Sequence, residues 1–97
     1  MLNHHELDVF KLVLRVAAFH GYIACVYGST LIKENPRDLD LMLVPKRFGT
    51  VPDGVFNDLV NLHDFKSLTK KYDGIMGTSS RIFNKDGLIV DMQIRND

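Results

Sequence analysis

Apolar and polar positions along this chain fall into a few periodic blocks, and each block predicts an element. "NHHE" (residues 3–6) resembles a capping box, with Asn3 as the cap and Glu6 three residues later. From there to His20 the spacing is helical. Asp8, Lys11 and Arg15 mark one polar stripe, while Leu7, Phe10, Val13, Leu14, Ala17 and Ala18 cover the opposite side, and Gly21 closes the helix. "YIACVY" (22–27) is short, β-branched and aromatic, which predicts a buried strand.

In "DLDLMLV" (38–44) the period changes to two. Leu39, Leu41 and Leu43 share one face, Asp38 and Asp40 share the other, and Pro45 ends the run. Beyond the Gly and Pro punctuation at 49–54, Val55, Phe56, Leu59, Val60 and Leu62 return to helical spacing. They predict a helix over about residues 53–65, with a further turn through "SLTKKY". "SRIF" and "LIVDMQIR" read as strands joined by "NKDG", where Asp86-Gly87 signals a hairpin. In the last strand Leu88, Val90, Met92 and Ile94 form one face, with Ile89, Asp91, Gln93 and Arg95 on the other. The order of elements predicts an α/β (α+β) sandwich: a mixed sheet with both helices packed on one face. Asp38, Asp40 and Asp91 then share the face that the helices leave open.

Composition narrows the setting. Ninety-seven residues make a single domain spanning residues 1–97, with room for one modest core. Twelve basic and twelve acidic side chains cancel, so no general field draws in nucleic acid or a membrane surface, although a local basic patch stays open. The one cysteine, Cys25, cannot form an internal disulfide; it is expected to pack as a small hydrophobe in a reducing compartment. "FKLVLRVAAFHGYIACVYG" is apolar, but Lys11, Arg15 and His20 break it, and Glu6 and Asp8 precede it where a signal is basic. The expectation is a cytoplasmic protein with no secretory or membrane-spanning segment.

The aspartates carry the candidate chemistry. Two carboxylates at i and i+2 of a strand point the same way, roughly 7 Å apart at their backbones, and a third from a neighbouring strand closes the cluster. Charges this close raise one another's pKa unless a cation compensates. Hard oxygen donors suit Mg²⁺, which commonly shares itself with substrate phosphates. Gly28-Ser29, at the exit of the first predicted strand, adds unencumbered backbone N–H groups and a hydroxyl. Taken alone, an Asp-x-Asp pair on a strand describes a solvated face; Gly28, Ser29 and Asp91 move the reading toward a site.

Gly-Ser, then "DLD" on a strand, then a lone Asp on a later strand, resembles the DNA polymerase beta-like nucleotidyltransferase superfamily. "KYDGIMGTSSRIF…LIVDMQIR" is similar to the stretch of the family-X polymerase palm that leads into its third metal ligand. The likeness covers residues 22 to 95. It implies a minimal nucleotidyltransferase domain with a palm-like mixed sheet. Asp38, Asp40 and Asp91 would hold two Mg²⁺ (or Mn²⁺) ions, and Asp91 would also help to deprotonate the acceptor hydroxyl. Gly28 and Ser29 would hold the β- and γ-phosphates of a nucleoside triphosphate.

The reaction implied is transfer of an NMP or dNMP to a hydroxyl acceptor, with pyrophosphate leaving. The acceptor is a nucleic acid end, a protein hydroxyl or a small molecule. Two features depart from the pattern. Eight residues separate Ser29 from Asp38, at the short end of the family's range. Where many relatives carry an arginine after Gly-Ser, this chain reads "TLI", which leaves Lys33, Arg81, Lys70 or Lys71 to grip the triphosphate.

The other polar residues read more plainly. His4 and His5 face solvent at a helix start, and His20 and His63 lack a zinc-ligand partner at a useful spacing. Lys70-Lys71 reads as a solvated helix end and Ser79-Ser80 as a strand start. The competing class is a catalytically inactive nucleotidyltransferase-like module that binds a protein partner or nucleotide; a phosphohydrolase using the same metals is a third. A domain this small is expected to recruit a protein partner or dimerise to complete its acceptor site, with no membrane involved.

Overall fold

The computed structural model describes residues 2–27, 38–68, 72–73 and 78–95. The chain runs α1 (His4–Phe19), β1 (Tyr22–Val26), β2 (Asp38–Pro45), α2 (Asp53–His63), β3 (Lys66–Ser67), β4 (Tyr72–Asp73), β5 (Thr78–Lys85) and β6 (Leu88–Arg95). The six strands make one mixed sheet in the order β1-β2-β6-β5-β3, with β4 also paired to β5. β2 and β6 are parallel, and the other pairs are antiparallel. No helix among the described residues is long and apolar enough to cross a membrane.

The capping box at the start of α1 forms as read. Asn3 Oδ1 accepts from the Glu6 backbone N–H, and Glu6 Oε1 accepts from the Asn3 N–H, each at 2.8 Å. The buried face of α1 differs from the expected one. It is Glu6, Val9, Val13, Val16 and Ala17, while Ala18 lies exposed and Leu7 and Leu14 are 36% and 37% exposed. Apolar residues surround most of this helix, so two overlapping stripes share the 3.6 period. Contact with β1 selects the valine stripe.

α2 stops at His63, with Asp64 in the left-handed conformation (φ 58°) as its C-cap. Phe65 turns into the core at 2% exposure, and the short strand β3 replaces the further helical turn expected beyond it. Val60 and Leu62, expected on the buried face, are 38% and 69% exposed.

Asp86 (φ 52°) and Gly87 (φ 89°) both take positive φ, the signature of the type I′ turn that matches the twist of a two-residue hairpin. Asn84 Oδ1 accepts from the Gly87 N–H at 3.0 Å and closes the turn. The core lies between the sheet and both helices. Tyr22, Leu39, Leu41, Leu43, Phe83, Val90, Met92 and Ile94 meet Val13, Val55, Phe56 and Leu59 there, almost wholly out of water.

A polar link joins the ends of the helices. His20 Nε2 lies 2.6 Å from Asp58 Oδ2, and a Cβ at Gly54 would stand 2.5 Å from the same ring. Glycine at 54 is what lets the ring lie against α2. Cys25 corrects an expectation: it points to the open side of edge strand β1 and is exposed, because Tyr22, Ala24 and Val26 take the inward positions.

Candidate metal and nucleotide site

The site is a product of strand period. In β2 the three leucines are fully buried, so Asp38 and Asp40 must point to the opposite face, Asp38 exposed and Asp40 half-buried. In β6, Val90 and Met92 are fully buried and Asp91 is turned outward between them, half-buried. The parallel register pairs Asp40 with Asp91 and Asp38 with Ile89. Adjacent strands lie about 4.8 Å apart, so Asp40 and Asp91 are side-by-side neighbours and Asp38 is one pleat away on the same face.

Electrostatics report the proximity. Burial pushes the Asp91 carboxyl above its ordinary value of 3.8, the Asp40 charge pushes it the same way, and Asp38 adds a smaller push. Gln93 opposes them by donating from Nε2 to Asp91 Oδ1, a long contact of 3.4 Å. Ile82, beside Asp91 on β5, supplies apolar surface on one flank. Across from Gln93 on the same face, the Ser80 hydroxyl is fully buried, with no hydrogen-bond partner among the described residues.

The other residues singled out from sequence fare differently. Gly28, Ser29 and Lys33, like Lys70 and Lys71, lie outside the described residues. Arg81 is described, and the fold does not bring it to the carboxylates. It shares the helix-covered face with Phe83, and its guanidinium carbon stands 4.6 Å from the centre of the Phe56 ring. Its Nε is buried without a partner among the described residues. Two features had no clear sequence signal or were passed over. The His20–Asp58 pair joins residues too far apart for any motif. Gln93 shares the outward face of β6 with Asp91 by strand period, but its amide contact to that carboxylate has no motif of its own.

Among the described residues, no three His, Cys, Asp or Glu side chains form a group set to hold an ion as they stand. The donor chemistry nonetheless fits a hard divalent cation. All three candidate ligands are carboxylates on one face; burial first and the Asp40 charge second raise the pKa of Asp91, and a bound cation would offset both. Comparison with known proteins matches the chain to no protein-family model and to no curated protein sequence.

Proposed function

We infer that this protein is a metal-dependent nucleotidyltransferase: it moves an NMP or dNMP from a nucleoside triphosphate to a hydroxyl acceptor and releases pyrophosphate. The observation that carries the reading is the register of β2 against β6, which sets Asp91 beside Asp40 on the face that also bears Asp38. Asp91 is half-buried beside the Asp40 charge, and both effects raise its pKa, a cost that a bound cation would offset. The resemblance of "GS", "DLD" and the later strand-borne Asp to polymerase beta-like nucleotidyltransferases supports the same reading.

Asp38, Asp40 and Asp91 would hold Mg²⁺ or Mn²⁺, which when bound neutralises triphosphate and pyrophosphate charge. In the transfer itself, the acceptor oxygen forms a bond to the α-phosphorus and the α–β phosphoanhydride bond breaks. The electron pair of that bond leaves on pyrophosphate. Asp91, beside the Gln93 amide, is the group placed to take the acceptor hydroxyl's proton on a carboxylate oxygen. Gly28 and Ser29 are assigned the phosphates from sequence alone. The proposed setting is the cytoplasm, where nucleoside triphosphates are at hand and a lone exposed Cys25 stays reduced.

Calorimetric titration of each NTP and dNTP, with Mg²⁺ or Mn²⁺, into wild type and Asp38→Asn/Asp40→Asn tests the site. Metal-dependent binding by wild type, abolished in a double variant that remains folded, is the expected result. A folded wild type that binds no nucleotide would overturn the reading and turn attention to a binding module.

A further inference from the structure

At the end of the sheet where β2 and β6 finish, charge and exposed aromatic surface concentrate in one place. Lys46, Arg47 and Phe48 follow β2 directly and are all exposed, Phe48 at 93%; Arg95, the last residue of β6, is exposed beside them. Lys46, Arg47 and Arg95 form no ion pair among the described residues. The N-terminus of α2 opens at the same end with no side-chain cap, adding the positive end of its dipole. Asp53, in the first turn of α2, is the one acid that this segment contributes. A chain of zero net charge thus carries a local cationic pole.

The pole is also concave. Phe48, Thr50, Val51, Pro52, Tyr22 and Arg95 line a cavity of about 250 Å³. Its walls are pinned from within: the Tyr22 hydroxyl donates to the Thr50 carbonyl at 3.0 Å, and Thr50 Oγ1 donates to the Arg47 carbonyl at 2.7 Å. Gly49, at φ 81°, permits the tight turn that carries Phe48 outward. An exposed aromatic at a small preformed cavity walled by Arg95, with Lys46 and Arg47 preceding Phe48 in the chain, matches what an unpaired nucleotide offers: a planar base to stack and phosphates to hold. A membrane surface would use the Phe48 tip but leave the cavity walled by Arg95 without a role.

We propose that this pole binds single-stranded nucleic acid, with a base stacked on Phe48 in the cavity and phosphates held by Lys46, Arg47 and Arg95. Arg95 is four residues beyond Asp91 on the same strand and face, about 13 Å along it at the usual strand rise. The cavity lies at the end of the sheet on the side of Tyr22 and the carboxylates lie on the other face, so a strand gripped here reaches them by crossing the ends of β2 and β6. Resting on the nucleotidyl-transfer reading, this assigns the acceptor to the class of nucleic acid ends rather than protein hydroxyls or small molecules.

The test is fluorescence anisotropy with short labelled single-stranded RNA and DNA, in EDTA so that the carboxylate site plays no part. Wild type should bind with an affinity that falls as salt rises. Phe48→Ala, at a nearly fully exposed position that leaves the fold alone, should weaken binding about tenfold or more at constant salt, in the range for losing one base–aromatic stack. Arg95→Gln should lower the log–log salt slope by about 0.7, the loss of one phosphate contact to a single strand.

Wild type that ignores both oligonucleotides overturns the proposal, as does Phe48→Ala that binds like wild type. Phe48-dependent binding to anionic phospholipid vesicles with no affinity for oligonucleotides overturns it in favour of a membrane surface. Oligonucleotide binding that survives in a protein with no metal-dependent nucleotide affinity would uphold this site and sink the transferase reading. The reverse pattern would do the opposite.

Discussion

Replacing Asp91 by asparagine should stabilise the metal-free protein, and the size of the gain follows from the register. Asp40 and Asp91 are side-by-side partners on adjacent strands. Two unit charges about 5 Å apart repel by about 1 kcal/mol in a water-like surround and about 3 kcal/mol at the effective dielectric near a protein surface. Both side chains are half-buried, so some screening survives and the lower figure is the safer one. For a domain of this size about 1 kcal/mol moves the melting temperature by roughly 4 to 8 °C. Asparagine keeps an oxygen for the Gln93 amide, so that contact is not lost with the charge.

The pH dependence has a definite sign. Burial first, and then Asp40, raise the pKa of Asp91 in the folded state above its ordinary value of 3.8. Its favourable contribution is therefore fully present below pH 3.8 and is lost as pH rises through the raised folded value. The gap between Asp91→Asn and wild type should be near zero below 3.8, grow above it and level off once Asp91 is ionised in both states. Differential scanning fluorimetry in EDTA across that range reads it directly. Added Mg²⁺ should raise the melting temperature of wild type more than that of the variant, because a ligand bound only by the native state stabilises it. A variant that melts at or below wild type in EDTA at neutral pH would refute the repulsion argument.

Other substitutions probe the frame that holds the carboxylates. Leu41→Ala, at a fully buried position one residue from Asp40, should cost about 2 to 5 kcal/mol in urea unfolding, opposite in sign to the change at Asp91. Gly87→Ala should destabilise the hairpin by about 1 kcal/mol in the same assay through its φ of 89° alone, since nothing lies within 4 Å of the added Cβ. Asn3→Ala removes the side-chain half of the capping box and should cost about 1 kcal/mol, read as a lower urea midpoint.

Much of this frame was legible because its signals are local. "DLDLMLVP" alternates with the strand period, so the leucines announce the core and the aspartates the open face before any partner strand is known. Asp86-Gly87 carries its own turn geometry, and Asn3 with Glu6 carries its own cap. What could not be read depends on distant partners. Leu7 and Leu14 form as good a helical stripe as Val9 and Val16, and only contact with β1 chooses between them. Arg81 could be aimed only once the parity of β5 was known, because a one-residue shift sends a strand side chain to the opposite face. The pairing of Asp40 with Asp91 belongs to the same class: each residue pointed outward from sequence, but their adjacency is a fact of sheet order.

That order has a temporal side. β6 is the last strand of the described chain, yet it lies inside the sheet, between β2 and β5. During folding β1 and β2 can pair early as neighbours in sequence, while the parallel β2–β6 seam waits for a long loop to close, the slow kind of step. Asp91 arrives beside Asp40 only when that seam forms. Completion of the carboxylate cluster is thus the same event as completion of the sheet: before it, β2 carries Asp38 and Asp40 without their third carboxylate.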